Sequence, residues 1–231
     1  MTSPSSRTAP PREPDDVRRR LLEAAALLLD EEGPDSLTAR RLTAQAGTST
    51  MAVYTHFGGM TGVIDAIAGE AFARFTRTLT EVPSTEDPVA DFFAMGVRYR
   101  EFALAHPQRY QMMFGTSAES LNRHHTDLTT TGSSSDRAEF AMSFEALLDV
   151  VGRMIAAGRI RDDGVSVVAG RLWSITHGAV LLEIAGFFGH EGHGLTQILG
   201  PLVFDTLVGL GDDRERIERS LDSAMSAMGR H

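Results

Sequence analysis

Histidine stands beside other polar or aromatic side chains at three places in this sequence, and each place could support binding or catalysis. The stretch GHEGHG covers residues 189–194, Tyr54 and His56 lie two residues apart, and Trp173 precedes His177 by four residues. An imidazole ring can bind a metal, hydrogen-bond an anion or transfer a proton near neutral pH. The spacing of these residues, and the elements that hold them, decide which chemistry is possible.

The stretch GHEGHG does not have the spacing of a zinc site. Zinc proteases place two histidines one helical turn apart, with a glutamate between them as the base. Here the second histidine arrives one residue early, and Gly192 and Gly194 break the helix that would hold it. The chain has no cysteine, and it shows no serine–histidine–aspartate arrangement, phosphate loop or dinucleotide fingerprint. We therefore predict no metal, no cofactor and no enzymatic activity, and keep a metal-dependent hydrolase only as an alternative.

The tyrosine and histidine of the second group lie in a helical segment of about two turns, which is too short to be stable alone. Residues 38–46 before it have helical periodicity. Gly47 can take the positive φ that a sharp turn needs, and Ser49 or Thr50 can cap the next helix. Together with a first helix, two short helices joined by such a turn form a helix-turn-helix, whose last helix enters the DNA major groove.

The two faces of this last helix have different compositions. Val53 and Phe57, with Leu42 of the preceding helix, are predicted to face inward. Small side chains allow close approach to base edges, threonine methyls and methionine can contact thymine methyls, and hydroxyls can bond bases or phosphates. The residues predicted to face outward are small or polar: Thr48, Thr50, Met51, Ala52 and Thr55.

The run TARRLTAQAGTSTMAVYTHF resembles the DNA-binding domain of TetR-family transcriptional regulators. The resemblance implies that Tyr54 and His56 bind backbone phosphates, as does Thr38 at its helix N-terminus, and that residues 48–52 lie nearest the bases or flanking phosphates. The alternative is that Tyr54 and His56 only pack and cap a three-helix bundle. The DNA-binding residues so implied are Thr38, Arg40, Thr48, Ser49, Thr50, Met51, Ala52, Tyr54, Thr55 and His56.

Three positions depart from the family pattern. Thr48 stands where the family usually has valine, and Thr43 where it has alanine; both changes are small. Met60 stands where the family often has a lysine that contacts phosphate. The loss of one charge contact should weaken DNA binding and lower its salt dependence.

The charge balance restricts how the chain can meet a nucleic acid. All 22 basic residues are arginines, and the net charge is −9. Residues 1–60 carry seven arginines and eight acidic residues, net −1, whereas residues 61–231 carry a net charge of −8. A broad nucleic-acid-coating surface is therefore excluded, and DNA binding has to be local to the N-terminal part.

Helical periodicity dominates the whole chain, and no segment alternates with period two over five residues. We predict an all-α fold with an N-terminal three-helix helix-turn-helix domain and a larger helical domain for ligand binding and dimerisation. The predicted divisions are a disordered leader at 1–14, the DNA-binding domain at 15–60, a connecting helix at 61–82 and the helical effector and dimerisation domain at 83–231. The polar stretch at 122–136 is predicted to be a flexible loop.

Aromatic and methionine side chains concentrate in the middle helices. Such a stripe is often plain core, but methionine also suits a pocket for a hydrophobic effector. The fragment RLWSITHGAVLLEIAGF resembles the Trp-x3-His-Gly signature of one C-terminal subgroup, and His177 is either a ligand donor or a core histidine. The predicted effector-binding residues are Phe92, Met95, Tyr99, Phe102, Tyr110, Met113, Phe114, Phe144, Trp173 and His177.

The helices near 165–189 and 195–210 are predicted to form a homodimer interface. The first is apolar on nearly all sides, but Ser174, Thr176, His177 and Glu183 interrupt it, so we do not predict a membrane span. A helix apolar all round in a soluble protein needs a partner on its second side. Pro201 inside the second helix predicts a kink.

These features predict a cytoplasmic homodimer that binds an operator in double-stranded DNA. By the family default it is a repressor, released from a palindromic operator by a small hydrophobic effector. The alternative from a different class is a helical adaptor that lacks DNA binding, which the acidity and Met60 favour.

Overall fold

The computed structural model describes residues 14–114, 124–189 and 191–229. The predicted leader, apart from Pro14, and His190 of the GHEGHG stretch lie outside these residues. The described residues contain no β-strand, and the prediction of an all-α chain is confirmed. They contain eleven α-helices: α1 Pro14–Glu32, α2 Ala39–Ala46, α3 Thr50–Phe57, α4 Met60–Thr80, α5 Pro88–Ala105, α6 Pro107–Phe114, α7 Leu128–Thr131, α8 Ala138–Ala156, α9 Val165–Ile184, α10 Gly200–Gly209 and α11 Arg214–Ala227.

The chain divides into two compact units, with the division between Ile67 and Ala68 inside α4. In the N-terminal unit, α1 packs on both α2 and α3. Its core consists of apolar side chains that recur every three or four residues along α1 and meet Leu42 of α2 and Val53 of α3, both fully buried. The short helices α2 and α3 are thus held by tertiary burial rather than by their own propensity.

In the second unit, α5 is the central element, and α8, α9 and α11 pack against it. The C-terminal half of α4 adds Phe72 and Phe75, whose rings contact Phe140 of α8 and Tyr99 of α5 with ring centroids 4.7 and 5.0 Å apart. Asp87 caps α5 by accepting hydrogen bonds from the backbone N–H groups of Val89 and Ala90.

The stretch predicted as a flexible loop is ordered over its described part, residues 124–136. It contains α7, which Asp127 caps through the backbone N–H of Thr129, and an isolated antiparallel bridge between His125 and Ser135. These elements differ from a loop without secondary structure, and hydroxyl–backbone bonds, such as the one from Ser135 Oγ to the carbonyl of His124, hold them in place of apolar periodicity.

The region around Pro201 also differs from a simple kink. Residues Gly194–Leu199 form a π-helical turn, and α10 begins at Gly200 with the proline in its first turn. A proline in the first turn costs no internal hydrogen bond, so the irregularity lies before it rather than at it. Helix α9 ends at Ile184, earlier than the predicted limit of 189.

Among the described residues, α9 is the one helix long and apolar enough to cross a membrane by length and composition, with a mean hydropathy of 1.4. In this fold it packs against α5, α8 and α10. Its residue Glu183 receives two hydrogen bonds from the guanidinium of Arg100 on α5, with Nε to Oε2 at 2.8 Å and Nη2 to Oε1 at 2.5 Å. One side of α9 therefore packs within the second unit, while only a third of the apolar window is buried.

Candidate functional site

The turn between α2 and α3 has the geometry that its sequence predicts. Thr38 caps α2 by accepting a hydrogen bond from the N–H of Arg41 at 3.4 Å. Gly47 has a φ of 59°, in the left-handed region that favours glycine. The guanidinium of Arg20 on α1 donates to the carbonyls of Ala46 and Gly47. This contact, which the sequence did not reveal, ties the turn to the first helix.

The start of α3 differs in one detail from the prediction. Ser49 occupies the N-cap position, but its side chain makes no capping hydrogen bond. The expected bond from Ser49 or Thr50 to an N–H of the first turn was wrong. The first turn of α3 therefore has no side-chain cap from Ser49, and the N-terminus of a helix is a place where an anion is favoured.

The outer face of α3 is exposed, and its largest side chains point away from the core. Met51 is 70 % exposed and Tyr54 is 64 % exposed. Of the other predicted DNA-binding residues, Thr38, Arg40, Ser49, Thr50 and Thr55 are exposed, whereas Thr48, Ala52 and His56 are half-buried. Helix α3 contributes one buried valine to the core, yet it exposes a large tyrosine and a methionine. Such exposed large side chains are typical of a binding surface.

Phe57 was predicted to face inward, but it is only half-buried. The guanidinium carbon of Arg18 on α1 lies 5.1 Å from the centre of its ring, a cation–π geometry. Val53 is therefore the buried residue on the inner face of α3. Phe57 lies at the edge of the N-terminal unit, where Arg18 covers its ring.

Helix α4 begins very close to the end of α3, and Gly62 makes this approach possible. A Cβ atom at Gly62 would lie 1.9 Å from the carbonyl oxygen of Phe57, and backbone cannot yield as a flexible side chain can. We expect Gly62→Ala to lower the free energy of unfolding of the N-terminal unit by about 1–3 kcal/mol, measured by thermal unfolding.

Gly69→Ala in the same helix is the control, since a Cβ there meets nothing within 4 Å. This variant should raise the free energy of unfolding by up to about 1 kcal/mol. A Gly62→Ala protein as stable as the original chain would contradict this account.

Comparison with known families agrees with this geometry. The profile described as "Bacterial regulatory proteins, tetR family" matches residues 21–67, which include α2, the turn and α3. The profile described as "Tetracyclin repressor-like, C-terminal domain" matches residues 92–199. Together the two matches span about two thirds of the chain. The chain belongs to the TetR family of transcriptional regulators.

Individual relatives are distant in sequence. The "Uncharacterized HTH-type transcriptional regulator Rv0681" of Mycobacterium tuberculosis is 25 % identical over 169 residues, which are 73 % of this chain and 71 % of that protein. A structure of a protein of unknown function from Rhodococcus sp. RHA1 has a TM-score of 0.65 at 24 % identity, over 91 % of this chain and all of that one. RolR in complex with resorcinol has a TM-score of 0.61 at 15 % identity, over 90 % of this chain and 94 % of that one. At these identities the structural matches show the fold of a TetR regulator. The resemblance to the Trp-x3-His-Gly subgroup remains a prediction.

The second unit of this TetR protein contains a cavity of about 250 Å³. Eight of the ten predicted effector residues line it. The other two lie behind the wall, since Phe102 packs on Phe75 and Tyr110 is fully buried. The lining residues from the predicted set are Phe92, Met95, Tyr99, Met113, Phe114, Phe144, Trp173 and His177.

Two segments contribute to the wall without having been predicted. Helix α4 supplies Phe72, Phe75 and Leu79, and the ordered stretch around α7 supplies residues between His125 and Ser135. The periodicity of α4 predicted that its aromatic residues face a core, but it could not distinguish a core from a cavity. The α7 stretch carries almost no apolar signal, so no sequence pattern pointed to it.

A chain of hydrogen bonds joins four aromatic side chains at the cavity. The Nε1–H of Trp173 donates to the hydroxyl of Tyr99 at 3.3 Å. The hydroxyls of Tyr99 and Tyr110 are 2.6 Å apart, and the Tyr110 hydroxyl lies 2.6 Å from Nδ1 of His177. Burial raises the pKa of both tyrosines and lowers the pKa of His177, so all four groups are uncharged at neutral pH. The sequence left His177 as either a ligand donor or a core residue. In the structure its Nδ1 bonds the buried Tyr110 hydroxyl, and the residue also lines the cavity.

Proposed function

We propose that this TetR regulator is a cytoplasmic homodimeric repressor that binds a palindromic operator through α3 and leaves it when a small hydrophobic ligand enters the cavity of the second unit. The cavity carries the proposal. It is a mainly apolar, partly open space in the domain that follows a DNA-binding unit, and close core packing would leave no such volume. RolR, which shares the fold, was solved with resorcinol, which supports a ligand in a domain of this kind.

Helix α4 gives the ligand a route to the DNA-binding unit. Phe72, Phe75 and Leu79 of α4 line the cavity, and the same helix begins at Met60, directly after the recognition helix α3. A ligand that displaces the cavity end of α4 changes the spacing between the two recognition helices of a dimer. Since a palindromic operator fixes this spacing at about one DNA turn, the operator is then released.

DNA binding is proposed to depend on two kinds of contact. Tyr54 and His56, with Thr38 at the N-terminus of α2, position the protein on phosphates. Arg40 is exposed, and among the described residues it forms no ion pair, unlike Arg41, which pairs with Glu32, so its charge is available to a phosphate. The residues from Thr48 to Ala52, together with Thr55, read or approach the base edges.

Mobility shift with operator fragments tests this function directly. The operator is first obtained by sequencing the genomic DNA that the protein pulls down. We expect Tyr54→Phe, which removes only a hydroxyl, to weaken operator binding about tenfold or more, because a hydrogen bond to a charged group is lost in each subunit. Thr50→Ala should weaken binding similarly and alter the sequence preference.

A matched control separates DNA contact from stability. Thr80→Ala removes an exposed threonine hydroxyl that bonds the carbonyl of Thr76 at the far end of α4, and it should leave operator binding unchanged. Retention of full operator affinity by Tyr54→Phe and Thr50→Ala together would contradict the assignment of α3. Absence of any enriched DNA, with an intact dimer, would favour the adaptor alternative.

A further inference from the structure

We propose that the ligand of the cavity is a small, uncharged aromatic molecule whose hydroxyl oxygen accepts a hydrogen bond from the Nε2–H of His177. This inference deepens the proposed function, and rests on it, because it names the class of molecule that the regulator would sense.

The direction of the hydrogen-bond chain is fixed at its start. An indole N–H can only donate, so the hydroxyl oxygen of Tyr99 accepts from Trp173. The two short contacts are satisfied when the Tyr99 hydroxyl donates to Tyr110 and the Tyr110 hydroxyl donates to Nδ1 of His177. If Tyr110 instead donates to Tyr99, the Tyr99 hydroxyl donates to Nδ1 at 3.3 Å, and Nδ1 is an acceptor in this case as well. In the opposite direction Nδ1 would donate to Tyr110 and Tyr110 to Tyr99, which would leave the Tyr99 proton without an acceptor. The first two arrangements pair every proton of the chain.

Both arrangements select one tautomer of the imidazole. Because Nδ1 accepts in each of them, the single proton of the neutral ring is on Nε2. The ring is neutral because burial lowers the pKa of His177. The two tyrosines around Nδ1 are uncharged as well, since burial raises the pKa of both hydroxyls.

The Nε2–H has no protein partner in the described part of the chain, where the hydrogen bonds of His177 all use Nδ1. His177 lines the cavity, so a ligand oxygen can take this proton. The neighbouring Thr176 also lines the cavity, is nine-tenths buried, and has a hydroxyl with no hydrogen bond to a described residue. A ligand hydroxyl can therefore accept a hydrogen bond from the Nε2–H of His177 and donate one to the hydroxyl oxygen of Thr176.

The cavity wall selects against charge. Its described residues include no arginine, aspartate or glutamate. A carboxylate or ammonium transferred there would lose its hydration and find no opposite charge, which is far more costly than burial of a hydroxyl. Eight phenylalanine, tyrosine and tryptophan side chains line the cavity, and Phe114 and Phe144 lie close to the ring of Trp173, at centroid distances of 6.1 and 5.6 Å.

The volume limits the size of the ligand. An apolar cavity of about 150 Å³ holds one benzene molecule. The cavity of about 250 Å³ therefore admits a single ring with a short side chain. The proposed class is thus alkylphenols and molecules of similar size, shape and polarity.

The fluorescence of Trp173 offers a direct binding assay, because Trp173 is the only tryptophan in the chain and lines the cavity. The full-length protein is titrated near pH 7.5 with 4-propylphenol, propylbenzene and 4-propylbenzoate, which share the ring and the propyl group. We expect 4-propylphenol to bind about tenfold more tightly than propylbenzene, as one additional hydrogen bond allows. The ionised benzoate should bind about a hundredfold or more weakly than the phenol.

Two histidine variants identify the donor. His177→Phe should reduce the preference for phenol over propylbenzene to less than about twofold, while propylbenzene still binds. His193→Phe is the matched control, since His193 is an exposed histidine outside the cavity wall and its loss should leave the preference unchanged. If His177→Phe does not fold, the comparison of the three probes on the original chain still decides the proposal.

Equal or tighter binding of the benzoate, or a preference for phenol that survives His177→Phe, would overturn the ligand class. Failure of the proposed function looks different, because then no operator is found in the pull-down whatever the probes do. If an operator is found but 4-propylphenol neither binds nor releases it, the DNA-binding function stands and this inference is wrong.

Discussion

Arg159→Met is expected to lower the free energy of unfolding by about 3–5 kcal/mol, because it leaves a buried carboxylate without its partner. The side chain of Asp212 is fully buried, and that of Arg159 is 6 % exposed. The guanidinium Nε lies 3.0 and 3.1 Å from the two carboxylate oxygens, and Nη2 lies 2.8 Å from Oδ2. Removal of one partner of such a buried pair lowers the free energy of unfolding strongly, even where the intact pair adds little net stability.

The effect extends beyond one ion pair because Arg159 joins four elements of the second unit. Its Nη1 donates to Asp87, the N-cap of α5, at 2.8 Å, and its Nη2 donates to the hydroxyl of Ser220 on α11 at 3.1 Å. Ser220 in turn donates to Asp87 at 2.7 Å. Arg159 itself follows α8, and Asp212 lies between α10 and α11. Loss of the guanidinium therefore removes hydrogen bonds from a helix cap and from two interhelical contacts at once.

The prediction is measured by chemical denaturation, with Arg219→Met as the control. Arg219 pairs with Glu215 on the exposed face of α11 at 3.8 Å, and loss of an exposed pair should cost less than about 1 kcal/mol. The double variant Arg159→Met with Asp212→Leu should recover much of the loss, since no charge is then stranded. If Arg159→Met cost no more than Arg219→Met, the cluster would not hold these elements together.

The same cluster gives a pH dependence. Burial alone would raise the pKa of Asp87, but the hydrogen bonds from Ser220 and the α5 backbone, with the charge of Arg159, bring it below its ordinary value of 3.8. The unfolded chain therefore binds the proton more readily than the folded one. Stability from this carboxylate is present above about the ordinary pKa and is lost as the pH falls through the lower value in the folded state.

The elements that the sequence predicted well are those whose determinants lie close together in the chain. The α2–turn–α3 segment needs Thr38 as a cap, Gly47 at a positive φ and Val53 as an anchor, all within 16 residues, and each was found where expected. The exposed face of α3 then follows from helical periodicity alone.

What the sequence did not predict depends on pairs that are distant in the chain. Arg159 and Asp212 are 53 residues apart, and Arg100 and Glu183 are 83 apart. A single sequence gives no signal for which of many arginines meets which acid. For a related reason the sequence could not decide between a core and a cavity for the aromatic stripe: such a stripe predicts burial, but the empty volume depends on how helices from three regions fail to fill the space between them.

The proposed dimer surface consists of exposed apolar side chains on α9, the segment after it, and α10. Phe187 is 75 % exposed, and Leu182 and Leu202 are also exposed. Along α9 the outward positions include Ser174, Gly178 and Leu182, spaced four residues apart. Small residues at two of these positions allow another helix to approach closely. The neighbouring Ala179 is buried within its own unit and does not belong to this surface.

Leu182→Glu and Leu202→Glu are expected to convert the proposed dimer to a monomer of 25.0 kDa, because each would place two buried carboxylates at the proposed two-fold interface without partners. Sedimentation analysis measures the mass, and operator affinity should fall with it because two half-sites are no longer bound together. Leu221→Glu is the control, since Leu221 is an exposed leucine on α11, outside the proposed surface. Dissociation by Leu221→Glu, with the other two variants still dimeric, would show that α11 and not the α9–α10 face forms the interface. The two-fold arrangement of the recognition helices would then depend on α11.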